Sequence, residues 1–160
     1  MSSGETWTLS ARGPLRGTLR VPGDKSVSHR ALLFNAIATG PAMVRGLLDS
    51  EDVAATAAAV RMFGATIERV KHGIRVTPAP AGVSPSAPID CGNSGTSIRL
   101  LAGLLVGSGL TATLTGDDSL RSRPMGRIVH PLRAMGASID GVENGKYAPL
   151  RISPADLVAS

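Results

Sequence analysis

Lys25, Ser26 and Arg30 are the first residues of this 160-residue chain whose types and spacing could do chemistry. They follow Pro22-Gly23-Asp24 and precede an apolar run, which is the setting of a helix start. There, free backbone N–H groups and the positive end of the dipole favour an anion. Ser26 and Arg30 are four apart and share a helix face. Lys25 adds a flexible point charge, and Arg30 a planar fork that matches carboxylate or phosphate. The same residues are compatible with a plainer role, Ser26 as a helix cap and Arg30 as a solvated side chain. A P-loop is excluded: it needs G-x-x-x-x-G-K-[ST], but Asp24 separates Gly23 from Lys25 and Gly17 is one residue too distant.

A second cluster, Asn93-Ser94-Gly95-Thr96-Ser97-Ile98-Arg99, brings small residues and hydroxyls to another helix start. Gly95 would let a ligand approach the backbone closely, although an ordinary capped helix reads the same way. The third cluster is Asp117-Asp118-Ser119-Leu120-Arg121-Ser122-Arg123-Pro124-Met125. Pro124 suits the first helical position, which puts Arg123 at the entrance. Two arginines beside two aspartates are equally compatible with a loop ion-pair network of little energetic weight.

The elements that must position these clusters occur twice. Gly23-Asp24-Lys25-Ser26-Val27-Ser28-His29-Arg30 lines up with Gly92-Asn93-Ser94-Gly95-Thr96-Ser97-Ile98-Arg99 at a shift of 69 residues. Arg61-Met62-Phe63-Gly64-Ala65-Thr66-Ile67-Glu68 recurs as Arg133-Ala134-Met135-Gly136-Ala137-Ser138-Ile139-Asp140, and Arg75-Val76-Thr77-Pro78 as Arg151-Ile152-Ser153-Pro154. A duplicated unit of about seventy residues sets the architecture.

After a lead-in at 1–14, the first unit (15–84) reads as a strand over Leu15–Val21 and a helix from Lys25. Val27, Ala31, Phe34 and Ala38 form that helix's apolar stripe, and Gly40-Pro41 ends it. A strand over Ala42–Gly46 follows. Ser50 then caps a second helix, with Glu51 and Asp52 in its first turn and Val53, Ala57 and Val60 as its stripe, stopped by Gly64. Ala65–Val70 and Gly73–Thr77 form a hairpin around Lys71-His72. The proline-rich connector 78–88 suits neither helix nor central strand.

The second unit (85–156) repeats the order. Its strand lies near Ile89-Asp90-Cys91, its first helix spans Ser94–Val106, and a strand follows at Thr111–Thr115. A helix near Pro124–Met135 and a closing pair of strands complete it. Pro131 should kink or shorten that second helix. Alternation of strand and helix makes each unit β-α-β-α-β-β and the class α/β.

Composition narrows the function. Aromatics make up 2% of the chain, so the core must be aliphatic, and Trp7, Phe34, Phe63 and Tyr147 form no stacking platform for single-stranded nucleic acid. The net charge of +5 is dispersed, which suits small anionic substrates or simply a solvated surface. Cys91 is alone, so no disulfide forms within the chain, and His29, His72 and His130 lack metal-ligand spacing. No leader or membrane-length apolar stretch is expected, and the chain reads as cytoplasmic.

The residues around the three clusters resemble the signatures of the 5-enolpyruvylshikimate-3-phosphate synthase family. Leu19-Arg20-Val21-Pro22-Gly23-Asp24-Lys25-Ser26-Val27-Ser28-His29-Arg30-Ala31 is similar to the first signature, Gly92-Asn93-Ser94-Gly95-Thr96 to the second and Arg123-Pro124-Met125 to the third. Pro131-Leu132 belongs to a longer form of the third pattern.

The resemblance implies part of the N-terminal domain of an enolpyruvyl transferase, or inside-out α/β barrel, fold. It implies transfer of the enolpyruvyl group of phosphoenolpyruvate to the 5-hydroxyl of shikimate 3-phosphate, with release of phosphate and with no metal or organic cofactor. By the same resemblance Lys25 is catalytic and contacts both substrates, while Ser26 and Arg30 hold shikimate 3-phosphate. Asn93, Gly95, Thr96 and Arg123 line the phosphoenolpyruvate site, which glyphosate occupies in sensitive members.

Two departures stand out. Leu100 occupies a position that is often proline in the family. Family members also have two domains of three such units each, and are expected to be monomeric. The 160 residues here hold two units, so a third unit and the C-terminal domain, with the acidic proton-transfer residues, are expected to be missing and the chain alone inactive. The sister transferase acting on UDP-N-acetylglucosamine fits less well, because it usually has asparagine where Ser26 stands and uses a loop cysteine. Cys91 instead precedes the Gly92-Asn93 turn and reads as a packing residue. A non-enzymatic module binding anions or nucleic acid is the alternative of another class.

Overall fold

The computed structural model describes residues 6–8, 10, 13, 14 and 16–158. The first unit contains helix α1 (Lys25–Ala36), strand β1 (Ala42–Val44), helix α2 (Glu51–Met62) and the hairpin β2 (Thr66–Val70) and β3 (Gly73–Thr77). The second contains β4 (Ile89–Asp90), α3 (Gly95–Gly107), β5 (Ala112–Thr115), a short α4 (Asp118–Arg121), α5 (Gly126–Ala134), β6 (Ser138–Gly141) and β7 (Tyr147–Ser153). Two sheets result, ordered β1-β3-β2 and β4-β5-β7-β6. All pairings are antiparallel except the parallel β4–β5.

The repeats in sequence correspond to repeated contacts. Arg61 Nη2 donates to the Ile67 carbonyl at 3.3 Å, and its counterpart Arg133 donates through Nε to the Ile139 carbonyl at 3.0 Å. Glu68 faces Arg75 across the first hairpin, and Asp140 faces Arg151 across the second, the opposite-charge pairing that stabilises an exposed sheet face.

The units differ at their openings. No strand forms over 16–24, and Leu15, where the expected strand begins, lies outside the described residues. In the second unit β4 is held by fully buried Ile89 and by Cys91 N donating to the Thr115 carbonyl at 2.9 Å. The repeat places Pro22 where Cys91 stands, and proline has no N–H to make that bond. Arg16 to Pro22 are all exposed, with Leu19 at 80% and Val21 at 71%.

The expected stripe of α1 is also corrected. Ser28, His29, Leu32, Leu33 and Ala36 are buried, whereas Val27 and Phe34 are 55% and 63% exposed. The helix turns inward the face whose polar groups find partners: Ser28 Oγ donates to the Asp24 carbonyl (2.7 Å) and accepts from Leu48 N (2.9 Å), and His29 Nδ1 meets Thr56 Oγ1 at 2.7 Å. The helix stops at Ala36, short of Gly40.

On α2 the expected cap and stripe are observed, with Ser50 accepting from Val53 N and Val53 and Val60 buried. Pro131 lies within α5 on its exposed side, so the carbonyl that loses its partner stays in reach of water. Pro124 is not the first residue of that helix: Met125 is the N-cap and Gly126 opens it.

The core joins both units around α3, with Ile98, Leu101, Ala102 and Leu105 fully buried against Leu33, Val60, Phe63, Leu114 and Leu150. Leu101→Ala should cost about 2–5 kcal/mol, the range for emptying a packed aliphatic site. Leu19→Ala should stay within about 0.5 kcal/mol, as expected for an exposed position. Urea unfolding of the two variants checks both, and comparable losses would mean that 16–22 is packed.

Within this core a buried polar line crosses from His29 on α1 through Thr56 on α2 to Ser97 and Ser94 at the start of α3. Burial, and then the nearby Lys25 charge, lower the His29 pKa from the ordinary value of 6.5. The folded state therefore binds that proton less readily than the unfolded chain. Stability from this site is complete above pH 6.5 and declines as pH falls from 6.5 towards the folded value. The urea midpoint should fall between pH 7.5 and pH 5 in the wild-type chain, with a smaller slope in His29→Asn.

Candidate functional site

The two main helix starts are capped at different positions of the repeat, and this decides which side chains are free. In α1 the Asp24 carboxylate accepts from Val27 N at 2.7 Å, so Ser26 is not the cap and stands exposed with Lys25 and Arg30. In α3 the counterpart of Asp24 is Asn93, but the cap has moved one residue on, to Ser94, whose Oγ accepts from Ser97 N at 3.1 Å.

Asn93 is thereby released from capping. Its Nδ2 donates to Asp117 Oδ2 at 2.9 Å, and its Oδ1 accepts from Arg123 Nη2. Arg123 also reaches Ser119 Oγ at 3.3 Å. The second and third clusters are thus one assembly. The ion-pair reading of the third cluster holds only for Arg121, which pairs with Asp118 on the exposed surface. The Asp117 carboxyl is held below its ordinary pKa, first by the Leu120 N–H and then by the Asn93 amide, so it stays ionised beside Arg123.

Gly95 is buried beneath two guanidinium groups. A methyl group there would stand 2.7 Å from Arg99 Nη1 and 3.3 Å from Arg123 Nη1. Arg99 is itself fixed, donating to the Gly95 carbonyl (2.9 Å) and the Pro124 carbonyl (3.0 Å). Glycine at this position leaves room for two guanidinium groups beside a helix start, where an anion would meet both of them and the positive end of the helix dipole. Thr96, half-buried, occupies the first turn beside them.

The first cluster connects to this assembly through α2. Lys25 Nζ forms an ion pair with Asp52 Oδ2, with the lysine side chain 48% exposed and the aspartate 28%. The Asp52 carbonyl in turn accepts from Ser97 Oγ at 3.2 Å, one turn from the cap of α3. Arg30 and Arg99 both border an apolar groove of about 340 Å³ lined by Leu33, Phe34, Ile37, Leu100 and Leu104. A larger cavity, about 510 Å³, lies apart, between β1, the 46–49 turn and the β2–β3 hairpin, with Asp49, Arg69 and Lys71 on its walls.

Arg99, Asp117 and Ser119 fall within the second and third clusters, but their sequence context assigns them no role of their own. Asp52 lies outside the three clusters and is legible only as an acid complementing a helix dipole, whereas Arg99 is legible as the repeat of Arg30. Cys91 is fully buried, and burial, with Asp90 adding to it, pushes its thiol up to about 12, so it packs rather than reacts. Among the described residues, no three His, Cys, Asp or Glu side chains group to hold a metal, and no helix is long and apolar enough to cross a membrane.

The family pattern described as EPSP synthase (3-phosphoshikimate 1-carboxyvinyltransferase) matches residues 9–159. The 3-phosphoshikimate 1-carboxyvinyltransferase of Anaeromyxobacter sp. (strain Fw109-5) is 52% identical over 143 residues, covering 89% of this chain and 33% of that protein. Its namesake from Chloroflexus aurantiacus (strain ATCC 29366 / DSM 635 / J-10-fl) is 52% identical over 152 residues, covering 91% and 34%. An EPSP synthase structure from Acinetobacter baumannii superposes with a TM-score of 0.82 at 42% identity, over 90% of this chain and 33% of that one. The chain thus spans about a third of the length of the curated relatives it matches. With its signature residues gathered at capped helix starts and the match running through nearly its whole length, this chain belongs to the EPSP synthase family.

Proposed function

We propose that this chain supplies one wall of an enolpyruvyl transferase site, at which the 5-hydroxyl of shikimate 3-phosphate adds to phosphoenolpyruvate. In that reaction the hydroxyl oxygen bonds to C2 of phosphoenolpyruvate and a proton reaches C3, giving a tetrahedral intermediate. Loss of a proton from C3 and of inorganic phosphate from C2 then restores the enol ether. The observation that carries this reading is the pair of capped helix starts joined through Asp52, one bearing Lys25, Ser26 and Arg30, the other Asn93, Gly95 and Thr96 under Arg123.

Both substrates carry phosphate and carboxylate groups, and each helix start presents the positive end of its dipole to them. Lys25 contacts both and is the catalytic cation, its ammonium pre-aimed by Asp52 so that little reorganisation accompanies the arrival of an anion. Ser26 and the Arg30 fork hold shikimate 3-phosphate, and both are available for it because neither is used in capping α1. Asn93, Gly95, Thr96 and Arg123 receive phosphoenolpyruvate, the Gly95 backbone admitting it close to Arg123. The remaining walls, and the groups that move protons at C3, belong to the two thirds of the relatives' length that this chain does not span. Turnover requires that part, and the chain alone is a binding half-site.

Isothermal titration should detect saturable binding of shikimate 3-phosphate to this chain. Removing two charge-assisted contacts at about 1.5–3 kcal/mol each should abolish it in a Lys25→Ala/Arg30→Ala double variant that keeps its helical circular dichroism. A folded wild-type chain without any binding would show that the half-site does not exist on its own.

A further inference from the structure

Lys25 and His29 stand one helical turn apart on α1, and their partners Asp52 and Thr56 stand one turn apart on α2. The contacts form a two-rung ladder, with the ionic rung at the surface and the imidazole–hydroxyl rung buried. Behind the buried rung, Thr56 Oγ1 lies 2.7 Å from Ser97 Oγ. Ser97 Oγ lies 2.7 Å from the capping hydroxyl of Ser94 and 3.2 Å from the Asp52 carbonyl oxygen. His29, Thr56 and Ser97 are fully buried and Ser94 nearly so.

The far end of this line determines its protons. A carbonyl only accepts, so the single Ser97 hydroxyl proton points towards the Asp52 carbonyl and the adjacent Ser94 oxygen. The Thr56 hydroxyl must then donate to Ser97, which leaves it no proton for His29. The 2.7 Å contact therefore requires the Nδ1–H of His29 to donate to Thr56 Oγ1. His29 Nε2 is buried without a partner. A proton there would be a donor without an acceptor beside the Lys25 charge, so the ring is neutral and Nε2 bare.

We propose that His29 is a positioning residue of the anion site: its Nδ1–H, acting through Thr56 and Ser97, locks the start of α1 to the cap of α3. It thereby fixes the distance between Lys25, Ser26 and Arg30 on one side and Asn93, Gly95 and Thr96 on the other. The inference rests on the anion-site reading above. Ser28 anchors α1 only within the first unit, through Asp24 and Leu48, so of the two buried polar side chains of α1 it is His29 whose hydrogen-bonded line reaches the second unit. Asp52 makes the coupling direct, because its carboxylate holds Lys25 while its carbonyl receives the end of the line.

Three variants test this in the whole chain: His29→Leu, which removes the donor; Thr56→Val, which removes the hydroxyl at nearly constant shape; and His29→Asn, whose amide N–H replaces Nδ1–H. Hydrogen exchange of the Ser97 amide, bonded to the α3 cap, reads the coupling without ligand. Titration of shikimate 3-phosphate reads its consequence.

The expected result is exchange at Ser97 at least tenfold faster and affinity at least tenfold weaker in His29→Leu and Thr56→Val. Both should be largely restored in His29→Asn even where that smaller side chain lowers the urea midpoint. Imidazole nitrogen-15 shifts should show Nδ1 protonated and Nε2 bare. Wild-type affinity and unchanged Ser97 exchange in folded His29→Leu and Thr56→Val, or the opposite tautomer, overturns the relay. Failure of the wild-type chain to bind, with the exchange pattern as expected, overturns the anion-site reading and the positioning role with it.

Discussion

An aliphatic core that contains the start of a helix must satisfy that helix's polar groups from within, and this constraint shapes the rest of the molecule. Helix α3 is buried from its first turn, with Gly95, Ser97 and Ile98 enclosed. Each unpaired polar atom there would cost about 1–3 kcal/mol, comparable to a sizeable core truncation. Ser94 answers by capping Ser97, and Ser97 answers by meeting Thr56 and the Asp52 carbonyl from the other unit. The junction between the duplicated units is therefore made specific by polar contacts and strong by the leucine and isoleucine side chains around them.

Duplication alone would yield two equivalent helix starts. Two departures make them different. A shift of the cap from the Asp24 position to Ser94 releases Asn93 to bind Asp117 and Arg123, which draws a third segment over the second start. Lysine at position 25, where the second unit has the capping serine, gives the first start a cation held by Asp52. One start is thus suited to an anion met by exposed side-chain donors. The other suits a compact anion pressed against a glycine backbone between two fixed guanidinium groups.

Much of this was legible in the sequence. The repeat of Arg61 at Arg133 predicted a shared structural role, and both arginines close onto the carbonyl six residues ahead. Caps such as Ser50 and stops such as Gly64 were local signals and behaved locally. What failed depended on tertiary partners. The apolar period through Val27 and Phe34 was real but faced outward, because the choice of face was made by Ser28 and His29 finding acceptors and donors elsewhere. The strand expected at Leu15–Val21 had the right alternation but lacked the N–H that Cys91 provides in the second unit. Asp52 escaped notice as a site residue because its partner Lys25 is distant in sequence.

On the proposed reading the two helix starts form one coupled site, the first holding shikimate 3-phosphate and the second phosphoenolpyruvate, with the buried line through Thr56 and Ser97 between them. The coupling is tested most directly by following backbone amide signals of the whole chain during titration with shikimate 3-phosphate. Saturable shifts are expected at Lys25, Ser26 and Arg30, with smaller coupled shifts at Asn93, Gly95 and Ser97, and none around the larger cavity at Asp49, Arg69 and Lys71. Shifts centred on that cavity, or confined to one helix start with the other silent, would contradict it.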